Sequence, residues 1–201
     1  EVERVLSMVD TVLILVDAMD GPMPQTRFVT QKAFQMGFKP IVVINKVDRP
    51  GARPDWVLNA TFDLFDRLGA TDEQLDFPIL YGSGRNGWMS LKPDGSPDEG
   101  LAPLFDLVLQ HVPEASTEEG GFRMLGTLLE ANPFLGRIIT GKISSGSVKP
   151  NQQVKVLDRK GNLVETGRVS KILAFRGIER QPIEEGVEGD EIVEAIRLQL
   201  A

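Results

Sequence analysis

The stretch Ile41-Val-Val-Ile-Asn-Lys-Val-Asp48 decides how the first half of this chain is read. Four consecutive apolar residues, all β-branched and only strand-length, read as a strand buried within a sheet. The Asn-Lys-x-Asp that closes the run then lies at the strand's carboxyl end, the edge at which open α/β sheets bind ligands. Its side chains suit guanine. A carboxylate at Asp48 accepts two parallel hydrogen bonds, from the ring N1–H and the exocyclic 2-amino group, while Asn45 bonds the N7 edge and the Lys46 stem lies along the base. Adenine offers no such donor pair and would leave a desolvated carboxylate unpaired, at a cost of roughly 1–3 kcal/mol or more.

On both sides of this strand the hydrophobic period alternates between helix and strand. Val2, Val5, Leu6 and Val9 recur at helical spacing and lead into a strand from Val12 to Val16. A helix from Gln25 to Met36 is entered after Pro24 and closed by Gly37. Leu58, Thr61, Phe62, Phe65 and Leu68 mark another helix, and Thr71-x-x-Gln74 has the form of a capping box. A third strand, Phe77 to Tyr81, runs into the turn-like Gly82-Ser-Gly-Arg-Asn-Gly87, and Leu101, Leu104, Phe105, Val108 and Val112 mark a last helix. Strands and helices in this order imply crossover connections and a parallel sheet. With only three strands, residues 1–113 read as half of a doubly wound domain.

Residues 114–121 are polar, carry no period and read as a linker. Beyond them, residues 122–201 show short alternating runs broken by turns: Phe122 to Leu129, Gly136 to Ile143, Gln153 to Leu157, Leu163 to Leu173 and Glu191 to Ile196. Arg159-Lys-Gly-Asn162 and Ser145-Gly-Ser-Val-Lys-Pro150 are turn candidates between them. Several short strands at this spacing favour a small closed barrel.

Composition narrows the class. The 201 residues are 41% hydrophobic and 25% charged, as in an ordinary soluble protein, and no apolar run is long enough to span a bilayer. No cysteine is present, which excludes disulfides and thiolate metal sites and fits a reducing cytoplasm. The single histidine, His111, closes a helical run where an imidazole meets the helix C-terminal dipole. Trp56 and Trp88 read as packing residues. Glu1 is not a methionine and sits inside an amphipathic pattern, so the chain is expected to be an internal piece of a larger protein.

The net charge of -7 is unevenly spread: from Arg137 to Arg180 there are 10 basic residues against 3 acidic ones. Such a basic stripe suits a phosphate-backbone partner, and Arg137, Lys142, Lys155, Arg168, Lys171 and Arg176 are its candidate RNA contacts, unless the stripe is only a solvated strand face. Gly136-Arg-Ile-Ile-Thr-Gly141-Lys142-Ile143 nearly spells a phosphate loop. It lacks the Ser/Thr after the lysine and reads as a β-run, so the chain contains no phosphate loop.

With Asn45, Lys46, Asp48 and Ser83 in place, and with Val16-Asp-Ala-Met-Asp-Gly-Pro-Met-Pro-Gln-Thr26 following a strand, the chain resembles the translational GTPases. It is most similar to the TypA/BipA family, through Glu1 to Met8, Gly21 to Thr30, Asn45 to Trp56 and Thr71 to Pro78, and Ser147-Val-Lys-Pro-Asn-Gln152 looks like that family's second domain. The resemblance implies an α/β partial P-loop-type GTPase domain followed by an all-β translation-factor-type barrel. In such proteins a Ser-Ala pair at a strand end supplies a backbone N–H to guanine O6, and Ser83 and Gly84 stand at those positions here. The closing segment, Ala195 to Ala201, departs from the glycine-containing strand end of the family.

The resemblance also implies GTP or GDP as ligand, Mg²⁺ in the parent protein with its ligands absent from this chain, and the ribosome as partner, with neither membrane nor DNA. GTP hydrolysis needs a phosphate cradle, a magnesium ligand and a group that orients the attacking water. None is found in this sequence, and Asp48-Arg-Pro-Gly51, which imitates Asp-x-x-Gly, is already assigned to the base. No catalytic residue is therefore assigned, and the chain alone is expected to bind GTP weakly and not to turn it over. The rival reading is a non-catalytic ribosome- or RNA-docking module; a related factor of the elongation factor G or back-translocase type shares the same motifs.

Overall fold

The computed structural model describes residues 2–114, 119–133, 136–187 and 191–198, with the side chains of Arg176 and of residues 191–198 outside that description. The chain forms two compact units, residues 1–114 and 115–201. Residues 115–118 of the 114–121 stretch, and the last three residues of the chain, lie outside the described residues.

In the first unit the order is α1 (Val2–Leu6), β1 (Val12–Asp17), α2 (Pro24–Gln35), β2 (Pro40–Asn45), α3 (Pro54–Arg67), α4 (Asp72–Leu75), β3 (Ile79–Ser83), β4 (Trp88–Ser90), a 3-10 turn (Pro97–Glu99) and α5 (Ala102–His111). The strands lie in the order β1-β2-β3-β4, the first three parallel and β4 antiparallel to β3. β2 is covered on both faces, with Ile41 to Ile44 at most 2% exposed, which is why its sequence is continuously apolar rather than alternating. On one face Val42 and Ile44 join Ile14, Val16, Val57, Phe65, Phe77 and Tyr81. On the other, Ile41 and Val43 pack with Leu80, Met89 and Leu107 of α5. Phe65 anchors the first layer, meeting Phe34 and Phe77 edge-on at 5.0 and 4.9 Å.

Both long helices of this unit begin on a proline, Pro24 and Pro54, whose missing N–H costs nothing in a first turn. For α3 this is four residues before the first periodic apolar position, because the apolar stripe marks only the buried face. The Thr71 capping box forms as expected: the hydroxyl accepts from the Gln74 amide and the Gln74 side chain accepts from the Thr71 amide. α1 ends at Leu6, and Val5 and Val9 are exposed, so the opening helix is shorter than its apolar spacing suggested. The expected three strands are four. The Gly82 to Gly87 segment is the turn of a β-hairpin, and Ser83 pairs with Trp88 across it.

The second unit is all β: β5 (Arg123–Asn132), β6 (Gly136–Ser145), β7 (Ser147–Val148), β8 (Gln153–Leu157), β9 (Leu163–Arg176), β10 (Glu179–Ile183), β11 (Gly186–Val187) and β12 (Glu191–Leu198). The sheet runs β10-β9-β12-β6-β5, with β8 also on β9, and β7 pairs with β11. Ile143, Val148, Val154, Val169 and Ile172 form its core. The near-phosphate-loop sequence from Gly136 is strand β6. Asp158 closes the turn from β8 to β9, its carboxylate accepting from the Lys160 and Asn162 amides.

A bidentate ion pair joins the two outer strands of the path. Arg180 on β10 donates from both terminal nitrogens to the Glu130 carboxylate on β5, each at 2.9 Å, so the ends of the sheet meet and the barrel is drawn round on itself. The Arg180 hydrogen bonds hold the Glu130 carboxyl below its ordinary value of 4.5. A lowered folded value means that the stabilisation is complete above that ordinary value and is lost as pH falls through the folded one. Both side chains are about a third or more exposed, so the pair is worth only about 0.5 kcal/mol. Glu130→Gln is therefore expected to lower the melting midpoint by about 2–4 °C at neutral pH and by nothing near pH 3, measured by calorimetry at the two pH values.

Candidate functional site

Parallel pairing brings the carboxyl ends of β1, β2 and β3 into one row, with Asp17 opposite Asn45 and Asn45 opposite Gly82. The Asn45 carbonyl accepts from the Ala18 amide at 2.8 Å and the Gly82 carbonyl from the Val47 amide at 3.2 Å, so the three strand ends are stitched together beyond the sheet itself. Asn45, Lys46, Asp48, Ser83 and Gly84 all fall on this rim.

Asn45 bridges two loops. Its Oδ1 accepts from the Lys46 and Gly84 amides, each at 2.9 Å, which leaves its amide nitrogen as the donor for a ligand acceptor. The Gly84 N–H is thus already engaged, and a purine O6 would have to share it. A Cβ on Gly84 would sit 3.5 Å from Asn45 Oδ1, an ordinary contact, so the glycine at the place of the family's alanine is not forced by space.

Lys46, just beyond β2, lies in the left-handed region, with φ of 68°, a conformation that costs a non-glycine residue roughly 1–2 kcal/mol. Its ammonium lies 2.5 Å from Asp17 Oδ2, and Asp17 Oδ1 accepts from the Met19 amide at 2.8 Å. The hydrogen bond from Lys46 first, and that from the Met19 amide second, hold the Asp17 carboxyl below the usual carboxylate range. Asp17 thereby joins the rim through Lys46, and it was not among the candidate site residues. The available signal was its position: it closes an apolar run just as Asn45 closes the next one. Arg53 ties the same loop down, donating to the Met19 carbonyl at 2.8 Å and lying 4.1 Å above the Trp56 ring. Trp88 packs as expected, buried in β4, whereas Trp56 is exposed and carries the Arg53 guanidinium over its ring.

Asp48 stands exposed at the rim, as a base-reading carboxylate must. Its Oδ2 accepts from Asn86 Nδ2 at 3.0 Å, a contact that no sequence motif announced. Ser83 is 1% exposed, and its hydroxyl accepts from the Asn86 amide at 3.3 Å, so the serine closes the turn rather than facing a ligand.

The basic candidates of the second unit are not gathered into one cluster. Arg137, Lys155 and Arg168 are exposed, Lys142 and Lys171 half-buried, and the Arg176 side chain lies outside the described residues. Register sets Gln153 opposite Arg168 and Lys155 opposite Thr166, which puts Lys155 and Arg168 diagonally on one face of β8 and β9. Arg197 of β12 is the register partner of Arg168 and was not among the candidates. Lys142 stands opposite Leu125 and Glu191, Lys171 opposite Ala195, and Arg137 opposite Ala131 and Ile196.

A parallel sheet with a polar rim at its carboxyl edge, followed by an antiparallel barrel, is the architecture of a translational GTP-binding protein. The family model described as Elongation factor Tu GTP binding domain matches residues 1–114, and the model for Elongation factor Tu domain 2 matches residues 136–197. The chain belongs to this family, and within it to the TypA/BipA branch. It is 54% identical over 181 residues to the large ribosomal subunit assembly factor BipA of Escherichia coli (strain K12), covering 90% of this chain and 30% of that protein. The BipA of Haemophilus influenzae is 52% identical over 191 residues, covering 94% of this chain and 31% of that protein. The chain thus spans about a third of the length of these relatives. In fold it is similar to the crystal structure of translation elongation factor SelB from Methanococcus maripaludis in complex with the GTP analogue GPPNHP. The TM-score is 0.71 at 24% identity, over 98% of this chain and 39% of that one.

Proposed function

We propose that this chain is the guanine-reading half of a GTP-binding domain joined through residues 114–121 to a second-domain barrel, within a protein that hydrolyses GTP on the ribosome in the cytoplasm. The observation that carries this reading is the convergence of Asn45, Lys46, Asp48 and Gly84 on one strand-end rim, with the Asp48 carboxylate exposed. In this reading Asp48 takes the N1–H and 2-amino donors, Asn45 Nδ2 the N7 edge, and the Lys46 stem, held at its head by Asp17, flanks the ring. Gly84 N–H, shared with Asn45 Oδ1, is the donor nearest O6, and Ser83 shapes its turn.

In this reading the rim takes the base, and Mg²⁺ belongs with the phosphate contacts, where it takes phosphate oxygens, waters and only one or two protein oxygens. Phosphate contacts, which supply most of the affinity for such ligands, fall to other parts of the parent protein. Titration calorimetry of this chain is therefore expected to give millimolar affinity for GTP and no phosphate release above buffer. Rim amides of Lys46 and Gly84 should shift in NMR spectra with GDP and not with ADP. Micromolar affinity or turnover would overturn the weak-binding part of the proposal, and equal shifts with ADP would overturn guanine reading itself.

A docking role for the barrel is favoured by one observation, the adjacency of Lys155 and Arg168 on a single face, with Arg197 in register beside them. Ribosome binding should then fall steeply between about 50 and 200 mM salt, because each neutralised phosphate releases counterions. Arg168→Gln should flatten the slope of log affinity against log salt by about one. Salt-insensitive binding would point to protein contacts.

A further inference from the structure

Asp48 is a poor reader if left to itself. It sits on an exposed loop just beyond β2, where a carboxylate rotates freely, and a bidentate contact with guanine requires its plane to be held in one orientation. The structure supplies the restraint from another strand. Asn86, 38 residues further along the chain, lies in the β3–β4 turn and donates Nδ2–H to Asp48 Oδ2 at 3.0 Å. Asn86 is itself anchored by its main chain, its N–H donating to the Ser83 carbonyl at 3.1 Å and to the Ser83 hydroxyl at 3.3 Å, and Ser83 is buried. The amide therefore approaches Asp48 from a fixed base.

We propose that Asn86 is a specificity-determining positioning residue for guanine: by occupying one lone pair of Asp48 Oδ2 it turns the carboxylate so that its remaining acceptor sites meet N1–H and the 2-amino group together. An ionised carboxylate has about four acceptor positions, so three remain for two donors after Asn86 has taken one. The restraint matters more for two simultaneous hydrogen bonds than for one. Inosine, which keeps N1–H and lacks the 2-amino group, needs only the single bond and gains little from it. Asn86 thus acts on the difference between guanine and hypoxanthine rather than on purine binding in general. This inference rests on the reading of Asp48 as the guanine acceptor.

Asn86→Ala isolates the effect, because the backbone N–H that closes the Ser83 turn survives the substitution and Asn86 is exposed. Asn86→Asp is the second variant, similar in shape but unable to donate and adding a like charge beside Asp48. NMR titrations of the 201-residue chain with GDP, IDP and ADP measure all three affinities. In the unsubstituted chain GDP is expected to exceed IDP, and IDP to exceed ADP. In Asn86→Ala the GDP-to-IDP ratio is expected to fall about three- to tenfold, with IDP affinity nearly unchanged, and in Asn86→Asp to fall further. A ratio unchanged in both variants, or GDP and IDP weakened equally, would overturn the positioning role while leaving Asp48 as reader. No preference of the unsubstituted chain for GDP over ADP would instead remove the guanine reading on which the inference stands.

Discussion

Asp48→Asn is expected to exchange the purine preference of the rim, weakening GDP by roughly 10²-fold or more and admitting XDP in its place. The carboxylate accepts from two donors of guanine, and hydrogen bonds to a charged group are worth about 1.5–3 kcal/mol each, so losing the charge and one acceptor removes about 3 kcal/mol or more. The amide that replaces it carries one acceptor and one donor, which is the pattern that xanthine presents with N1–H and the 2-oxo group. The fold should not notice, since Asp48 is exposed and its partner, Asn86, can hydrogen-bond either side chain. The check is a competition titration of GDP against XDP, followed on the Lys46 and Gly84 amides of the two proteins. A variant that keeps its preference for GDP would show that Asp48 faces the rim without reading the base.

Much of the site was legible because its signals are local. A buried central strand announces itself as an unbroken apolar run, and whatever follows that run is delivered to the sheet's carboxyl edge, so Ile41 to Asp48 carried both the fold class and the place of the proposed site. The partners that hold the site are not local. Lys46 meets Asp17 across 29 residues and Asp48 meets Asn86 across 38, and each contact exists only because strand register aligns the ends of neighbouring strands. Strand β4 was missed for a related reason: a three-residue strand has too few positions to show a period, and its turn is rich in glycine. Strand β10, Glu-Arg-Gln-Pro-Ile, is mostly exposed and contains Pro182, so its sequence shows none of the alternation of a half-buried strand. Pro182 is tolerated because β10 terminates the sheet path, where one edge needs no ladder partner. The basic stripe from Arg137 to Arg180 was legible as composition, whereas its division between faces depended on register and on a bulge opposite Ala195 and Ile196.

Gly82→Ala is expected to be strongly damaging to the first unit, and Gly84→Ala, two residues away, close to silent. Gly82 is pinned on three sides: it lies opposite Asn45 of β2 and Met89 of β4, and its carbonyl accepts from the Val47 amide just before Asp48. A Cβ there would lie 2.3 Å from the Trp88 carbonyl oxygen, 2.7 Å from Met89 Sδ and 2.9 Å from Met89 Cα. The sulfur can swing aside but the backbone atoms cannot, so β4 must move off β3 and take Trp88 and Met89 out of their buried positions. Overpacking of this kind costs about 1–3 kcal/mol, and disrupting two buried large side chains adds to it. At roughly 4–8 °C per kcal/mol for a unit of this size, the melting midpoint of the first unit should fall by about 10 °C or more. At Gly84 the added methyl meets Asn45 only at contact distance, so the midpoint should stay within about 2 °C. The two variants also part in function: the Gly82 change should displace Val47 and thereby Asp48, weakening the guanine-dependent shifts of the Lys46 amide, while the Gly84 change should leave them in place. Calorimetry and the GDP titration together test the argument, and a Gly82→Ala protein that melts with the unsubstituted chain would mean that the sheet edge yields far more readily than its close-packed backbone implies.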